Sequence, residues 1–187
     1  MRIPQPVVLT GEIVRLEPLS QSHAADLFEA AQDDEVWRWL SLPRPEGEQD
    51  VRRMVREHPG APTWAVVVAG RAVGSTSYLD VDLTVRGLEV GWTWYARSVW
   101  GGRVNPECKL LILSHAFDDL GAARVSFKTD ALNARSRSAI ARLGAREDGT
   151  LRHARLRNDG SVRDSTYFSI LAAEWPQVRA GLQARLE

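Results

Sequence analysis

The stretch Trp94-Tyr95-Ala96-Arg97-Ser98-Val99-Trp100-Gly101-Gly102-Arg103-Val104-Asn105 runs from a strand into the start of a helix. Three apolar segments precede it without a helix between them, which predicts an antiparallel meander. Helical and strand patterns alternate after it. The junction therefore separates two halves of a mixed sheet covered by helices, and we expect an α/β or α+β layered fold.

The first half is divided by its apolar periodicity and by its Pro and Gly residues. The predicted elements are a strand at Ile13–Leu16, helices at Ser20–Ala31 and Gln49–His58, and strands at Trp64–Ala69, Ala72–Asp80 and Leu88–Tyr95. Pro43 and Pro45 predict a loop after Trp37 and Trp39. Gly70-Arg71 predicts a tight hairpin turn, and Pro59 and Gly60 close the second helix.

The second half carries clear capping and turn signals. The predicted elements are helices at Pro106–Leu120 and Ala134–Leu143, a strand at Arg124–Thr129, a hairpin of Leu151–Arg157 with Asp164–Leu171 about Asn158-Asp159-Gly160, and a last helix near Pro176. Asn105 and Asn133 are predicted N-caps, and Gly121 and Gly144 end the same two helices. The element order is β-α-α-β-β-β-α-β-α-β-β-α, and the absence of a linker or repeat predicts one domain over residues 1–187.

Composition excludes several classes of protein. Lys+Arg and Asp+Glu are both 24 in 187 residues, so a basic field for nucleic acid is not expected. One cysteine, Cys108, excludes a disulfide framework. No segment resembles a signal peptide or the ~20 apolar residues of a membrane span. These features predict a cytoplasmic protein without nucleic acid or membrane partners.

The glycine pair of the junction is a candidate anion site. Gly101 and Gly102 allow a tight turn that directs backbone N–H groups into one concavity, and the following helix adds its dipole. Arg103 offers a further positive charge. The alternative is a simple loop before a well-capped helix, and the stretch alone does not separate the two interpretations.

Three more polar residues are candidates. Asn133 and Ser136 could face a ligand, although a helix cap that satisfies free N–H groups explains both and is favoured by the residues alone. Glu89 lies in the apolar strand Leu88-Glu89-Val90-Gly91-Trp92; a solvent-facing carboxylate is the commoner case. In a partly apolar cleft the pKa of its carboxyl would rise into the range of a general base.

The sequence gives little support for a metal site, a nucleophilic cysteine or a nucleotide-phosphate loop. His23, His58, His115 and His153 lack metal-ligand spacing, so no metal site is expected. Cys108 has no partner triad and is interpreted as a small core residue. The chain also lacks a phosphate-binding loop of the Gly-x-x-x-x-Gly-Lys-[Ser/Thr] type.

Taken together, these segments resemble the GNAT acetyltransferases, and especially their branch of ribosomal-protein N-terminal (alanine and serine) acetyltransferases. The resemblance covers nearly the whole chain and depends on the order and spacing of its segments. The segments are Gly11–Leu19 with Ser20 and His23, Leu88–Trp92, Trp100–Gly121, Asn133–Ser136 to Leu143–Ala145, Asp159–Asp164 and Glu174–Pro176.

The resemblance implies a mixed, mostly antiparallel sheet flanked by helices, with a splayed strand pair that forms a cleft for acetyl-CoA (coenzyme A). It implies cofactor contacts at Trp92-Thr93-Trp94, at Trp100-Gly101-Gly102-Arg103-Val104-Asn105 and at Asn133. Glu89 would act as general base, and Ser136 would bind the cofactor and protonate the thiolate. The acceptor amine would enter beside Trp37 and Trp39.

The loop departs from the family pattern Gln/Arg-x-x-Gly-x-Gly/Ala. Trp100, Arg103 and Asn105 replace the Gln/Arg, the central glycine and the last small residue. A side chain at Arg103 requires a different backbone if the family's glycine has positive φ, and Gly101 or Gly102 can take over that role.

The expected function is transfer of an acetyl group from acetyl-CoA to an amine by direct attack. The acceptor could be a protein N-terminus, a polyamine, an aminoglycoside-like antibiotic or an amino acid, and the enzyme a monomer or homodimer. The altered loop motivates an alternative, a catalytically idle acyl-CoA-binding sensor or scaffold module. A third hypothesis is a nucleotide-binding domain that uses the same loop.

Overall fold

The computed structural model describes residues 1–57 and 62–187. The strands are β1 (Leu9–Thr10), β2 (Val14–Pro18), β3 (Thr63–Val68), β4 (Arg71–Asp82), β5 (Gly87–Tyr95), β6 (Arg124–Asp130), β7 (Arg146–Leu156) and β8 (Val162–Leu171). The helices are α1 (Ala24–Ala30), α2 (Asp34–Trp37), α3 (Glu48–Arg56), α4 (Val104–Ser114), α5 (Ala134–Ala141) and α6 (Trp175–Ala184).

The strands form one eight-stranded sheet in the order β1-β2-β3-β4-β5-β6-β8-β7. Neighbouring strands are antiparallel except β5 and β6, which are parallel and joined through α4. The predicted mixed, mostly antiparallel sheet is therefore confirmed. A parallel pair needs a crossover connection, which the junction after Tyr95 and helix α4 supply.

Helices cover both faces of the sheet. Ile112 of α4, Ile140 of α5 and Leu182 of α6 share a core cluster with Val125 of β6. Helices α1 and α3 pack on the opposite face of β3 and β4, where Leu27 belongs to a second, smaller cluster. The first face therefore carries most of the buried apolar surface that stabilises the fold.

A β-bulge at Trp92 reverses the direction of the side chains in β5. Ser75 and Ser77 of β4, two residues apart, pair with Trp94 and Gly91, three residues apart. Trp92, the extra residue, has φ +49°. Side chains alternate along a strand, so one inserted residue exchanges the two faces beyond it. Val90 and Tyr95 therefore both pack on the α4 side.

Helix α4 begins two residues earlier than predicted. Its N-cap is Arg103, and Asn105 lies inside the first turn, so the prediction of Asn105 as N-cap is wrong. The N–H groups in the first turn of a helix have no carbonyl partner within the helix. Pro106, which has no N–H group, therefore loses no helical hydrogen bond at this position. After Ser114 the helix widens into a π-turn over His115–Asp119, and Gly121 with φ +73° ends it as predicted.

Several boundaries differ from the predicted ones. The one-turn helix α2, capped by the Asp33 carboxylate, was not predicted, and β7 begins at Arg146 rather than Leu151. The first hairpin turns at Ala69-Gly70, both with positive φ, one residue earlier than predicted. The predicted helix end at residues 58–60 lies outside the described residues. In the parts of the chain described, no helix is long and apolar enough to cross a membrane.

The Glu107 side chain fixes the start of α4 against the turn before β2. The Glu107 carboxylate accepts hydrogen bonds from the backbone N–H groups of Glu12, Ile13 and Val14, the last at 3.1 Å. A Cβ atom at Gly11 would clash with Glu107 Oε1, so a larger residue there would displace the carboxylate from these hydrogen bonds. This anchor sets the position of the loop that precedes α4.

Candidate active site

A cleft opens where β5 and β6 separate. The two strands pair only at Gly87–Arg124, Leu88–Val125 and Glu89–Ser126, although β5 continues to Tyr95 and β6 to Asp130. The gap forms part of a cavity of about 980 Å³. The splayed strand pair implied by the sequence is therefore present, and the last pair before the gap contains Glu89.

Glu89 faces this cleft as a buried carboxylate. The residue is only 3% exposed, and its Oε2 lies 2.7 Å from Nζ of Lys128 on β6. Burial raises the pKa of the Glu89 carboxyl, and the hydrogen bond and charge of Lys128 oppose part of that rise. The solvent-facing interpretation of Glu89 is therefore wrong, and the residue has the environment of a candidate general base.

Gly91 makes room for that carboxylate. Residues two apart on a strand share a face, so Gly91 lies beside Glu89. A Cβ atom at Gly91 would lie 2.6 Å from Glu89 Oε1 and 2.7 Å from Leu79 Cδ1. Its φ is not positive, so the need for glycine here is steric.

The loop before α4 carries its positive φ on Gly101, at +77°. Arg103 has φ −75°, so an arginine in place of the family's central glycine causes no backbone strain. Gly101, Gly102 and Asn105 line the cleft. Arg103 and Val104 were both expected at the cofactor but do not line the cleft. Arg103 donates to Glu12 Oε2 at 2.7 Å, and Val104 is buried in the core.

Trp100 holds two arginines at the mouth of the cleft. The guanidinium carbons of Arg97 and Arg135 lie 4.4 Å and 3.3 Å from its ring centroid. The indole N–H donates to the Tyr95 carbonyl at 2.9 Å, which fixes the ring. Burial and the charge of Arg97 lower the pKa of Arg135. These two side chains bring positive charge to the position where the family motif has a Gln or Arg.

Asn133 caps α5 as the residues alone predict. Its Oδ1 accepts from the Ser136 N–H at 3.0 Å. Asn133 and Ser136 also line the cleft, and within residues 1–57 and 62–187 the Asn133 Nδ2 and Ser136 Oγ atoms have no hydrogen-bond partner. The cap therefore uses only part of their hydrogen-bonding capacity and leaves a donor at each residue for a ligand.

Lys109 lines the cleft from α4, and sequence reasoning missed it. It is 6% exposed, its Nζ donates to Thr93 Oγ1 at 3.1 Å, and it lies 5.9 Å from the Phe127 ring centroid. The described part of the chain places no carboxylate within ion-pair distance of this amine. Burial lowers its pKa. The only sequence signal was a charge inside an apolar helical segment.

The expected residues of β5 surround the gap. Trp92, Thr93 and Trp94 all line it. Trp92 is 40% exposed, whereas Trp94 packs against the Trp37 ring at a centroid distance of 5.2 Å. Trp37 is 3% exposed and donates to the Ala31 carbonyl, so it supports the wall rather than presenting a free ring.

Trp39 lies at the far wall of the cleft, next to the β7–β8 hairpin. Its carbonyl accepts from Arg163 Nη1 at 3.3 Å, and Asn158 Nδ2 donates to the Leu42 carbonyl at 2.6 Å. The segment after α2 and this hairpin together form one side of the opening. Trp39 is half-buried there and lines the cleft, and its role at the acceptor entrance stays a prediction.

The cleft is basic in a protein whose net charge is zero. Eight of its lining side chains are Arg or Lys, and two, Glu89 and Asp130, are acidic. Charge of one sign in a concave site with low-dielectric walls attracts ligands of the opposite sign. The arrangement suits an anionic ligand that lies along the gap.

Comparison with known proteins identifies the family. Residues 14–146 match the family described as the acetyltransferase (GNAT) domain, and the chain belongs to this family. It is 33% identical over 107 residues to a Bacillus subtilis (strain 168) protein provisionally named ribosomal N-acetyltransferase YdaF. That match spans 57% of this chain and 57% of YdaF, so the chain spans little more than half of its curated relative.

Solved structures share the whole fold. A crystal structure provisionally described as an acetyltransferase from T. thermophilus has 37% identity and a TM-score of 0.91, with 100% of both chains covered. Mycobacterium smegmatis RimJ, solved in complex with CoA-disulfide, has a TM-score of 0.77 over 96% of this chain and 94% of RimJ. At 24% identity, RimJ supports the fold alone.

Proposed function

We propose that this chain is an N-acetyltransferase that moves an acetyl group from acetyl-CoA directly onto a primary amine in a ternary complex. The separation of β5 from β6 immediately beyond Glu89 carries the proposal. It opens a gap between the two strands, with a buried carboxylate at the closed end. An acyl-CoA arm in this gap would bring its thioester close to Glu89.

Residues at the glycine loop and α5 would hold the cofactor. Gly101 and Gly102 line the cleft just before α4, where backbone N–H groups and the helix dipole would favour a pyrophosphate. Arg97 and Arg135 add charge beside them. The free amide of Asn133 is a further donor. Arg103 and Val104 contribute by positioning the loop and not by contact.

Glu89 would accept the proton of the acceptor ammonium, directly or through water. The neutral amine then attacks the thioester carbonyl, so that a C–N bond forms and the C–S bond breaks. A backbone N–H of the splayed part of β5 would stabilise the oxyanion, and Ser136 Oγ would protonate the departing thiolate. Alignment of the two reactants accounts for several kcal/mol of the barrier, and no covalent enzyme intermediate is needed.

The acceptor would enter beside Trp39, with Trp37 supporting that wall. YdaF is named a ribosomal N-acetyltransferase, and we propose a protein N-terminus or another primary amine as the acceptor of this chain. A polypeptide N-terminus suits an open cleft, because only its first residues need to enter.

Thiol release from acetyl-CoA against a panel of amines tests the proposal. The panel contains peptides with free N-termini, amino acids, polyamines and an aminoglycoside, and calorimetry with CoA, ATP and NAD measures binding. We expect CoA binding and turnover with at least one amine. No CoA binding at millimolar concentration would overturn the cofactor assignment, and tight CoA binding without turnover on any amine would indicate an idle binding module.

A further inference from the structure

We infer that Arg155 and Arg163 form a carboxylate-binding site for the acceptor, so that the acetylated amine belongs to a molecule with a carboxylate near its amino group. The inference rests on the proposed function, since it specifies the acceptor of that reaction. The site lies on the β7–β8 hairpin, outside the residues assigned to the cofactor.

The two arginines are direct cross-strand neighbours. Arg155 of β7 pairs with Arg163 of β8 in the antiparallel register, and both line the cleft. Side chains at directly opposite positions point to the same face, and two like charges placed there destabilise a sheet. A bound anion between the two guanidinium groups would offset that repulsion.

Neither arginine of this pair forms an ion pair in residues 1–57 and 62–187. Glu89 and Asp130 act on them only from beyond ion-pair distance. Arg163 is 7% exposed, and its hydrogen bonds go to neutral groups, Ser165 Oγ at 3.2 Å and the Trp39 carbonyl at 3.3 Å. A buried cation normally has a paired anion, because desolvation of an unpaired charge is costly.

The nearest acidic side chain in the cleft is already occupied. Asp130 accepts from Arg157 Nε at 2.7 Å on one oxygen, and from Arg157 Nη2 and the Leu132 N–H on the other. Its hydrogen-bonded ion pair is with Arg157, while Arg163 feels the charge of Asp130 without a hydrogen bond to it. Among the described residues neither Arg155 nor Arg163 has an ion pair of its own, so both guanidinium groups can take up an anion.

A bulge in β7 lies immediately before Arg155. Leu151 pairs with Ser165 and Arg155 pairs with Arg163. An advance of four residues along β7 therefore corresponds to two residues along β8. His153 inside the bulge has φ +52°, and its N–H donates to Asp164 Oδ1 at 2.9 Å. Bulges of this kind redirect side chains next to binding sites. The strained backbone is therefore held in place by Asp164.

The arginine pair is close enough to Glu89 to act on the same acceptor. The charge of Arg155 acts on the Glu89 carboxyl and also on Arg163. Glu89, Arg155 and Arg163 all line the same cleft, so an acceptor whose amine meets Glu89 would have its neighbouring groups on the side of the two guanidinium groups. Planar guanidinium groups bind carboxylates through paired, charge-assisted hydrogen bonds.

This charge pattern discriminates among acceptors. Polyamines and aminoglycosides would bring several positive charges to Arg155, Arg163 and Lys128, which disfavours them. Two sources of the required carboxylate remain. One is a free α-amino acid, and the other is a polypeptide N-terminus with an acidic residue close to its first position.

Matched amine pairs test the inference by thiol release at saturating acetyl-CoA. The first pair is a free amino acid and its amide. The second pair is two peptides that differ only in having Glu or Gln at the second position. Spermidine represents the polycations. We expect kcat/KM to favour the carboxylate member by about tenfold or more, the size of a charge-assisted hydrogen bond. The pair whose carboxylate member has the higher kcat/KM identifies the source of the carboxylate.

Arg155→Gln is the decisive variant, because Arg155 is exposed and its replacement is compatible with folding. We expect it to abolish the preference while CoA binding stays unchanged. Arg152→Gln, an exposed arginine of the same strand outside the cleft, serves as the matched control and should keep the preference.

Two outcomes would overturn the inference: a wild-type preference for uncharged or polycationic amines, or a carboxylate preference that survives in Arg155→Gln. Absence of thiol release with every amine would instead count against the proposed function. The two failures are therefore distinguishable.

Discussion

The Glu89 carboxylate and the Lys128 ammonium lie 2.7 Å apart on the two strands that separate immediately beyond them. Lys128 Nζ also lies 3.2 Å from Asp80 Oδ2, so one lysine serves a buried and an exposed carboxylate. Burial favours the neutral form of Glu89, and Lys128 favours the ionised form. The balance of these two effects sets the pH at which Glu89 becomes a base.

Glu89→Gln should lower kcat by about 10²–10⁴, the usual contribution of a general base. The wild-type kcat/KM should rise with pH through the raised pKa of Glu89, because only the ionised carboxylate accepts a proton. Its acidic limb should therefore lie above the ordinary range for glutamate, and the limb should be absent in Glu89→Gln. An unchanged acidic limb in the variant would assign the titration to another group.

Lys128→Met should move the same limb further toward alkaline pH. The lysine lowers the pKa of Glu89 by its hydrogen bond and charge, so its loss removes the main opposition to burial and leaves only the smaller effect of Arg155. Activity at neutral pH should fall and partly recover at higher pH. The pH profile is measured alongside thermal unfolding, and a limb that stays in place or moves to lower pH would contradict this relationship.

Gly91→Ala should impair catalysis more than folding. The added methyl group meets the ends of two side chains, Glu89 Oε1 and Leu79 Cδ1, which can move at a stability cost of about 1 kcal/mol. The displaced carboxylate loses its alignment, and kcat should fall by about tenfold or more.

Gly181→Ala is the matched control for Gly91→Ala. Gly181 lies in α6 with no heavy atom within 4 Å of an added Cβ, so alanine there should stabilise the helix by about 0.5–1 kcal/mol and leave kcat unchanged. A kcat for Gly91→Ala as high as that of Gly181→Ala would show that the space beside Glu89 is not needed.

Lys109→Met should weaken acetyl-CoA binding without destabilising the protein. Burial lowers the pKa of Lys109, so at neutral pH the unfolded chain holds its proton more favourably than the folded chain. Removal of the amine should leave the free energy of unfolding equal or higher, while KM for acetyl-CoA rises because a donor in the gap is lost. Unchanged KM with raised stability would mean that Lys109 has no contact with the cofactor.

The sequence predicted most of the fold because its elements are marked by local signals. Asn133 before α5, Gly121 after α4 and the Asn158-Asp159-Gly160 turn act within a few residues. The start of α4 was misplaced because Arg103 follows a helical backbone without a capping side chain. The bulge at Trp92 escaped prediction because it depends on register with β4.

The site was only partly predictable for the same reason. Glu89, Asn133 and Ser136 were candidates from the residues alone and received roles only through the resemblance. The burial of Glu89 and the free donors of Asn133 and Ser136 follow from packing. Lys109 and the Arg155–Arg163 pair were missed, since the first is a lysine in an apolar helix and the second depends on a bulge that aligns two strands. Charges brought together by tertiary pairing leave no local pattern.

Asn133 has two roles that one pair of substitutions can separate. Its Oδ1 caps α5, and its Nδ2 is free to meet the cofactor. Asn133→Ala should cost about 1 kcal/mol of stability through loss of the cap, and should also lower CoA affinity and kcat. Asn133→Ser keeps a comparable neutral cap but lacks the amide, so it should restore thermal stability while CoA affinity stays about tenfold weaker. Thermal unfolding and calorimetry with CoA measure the two effects. If Asn133→Ser binds CoA like the wild type, Asn133 acts on the reaction only by holding the start of α5 in place.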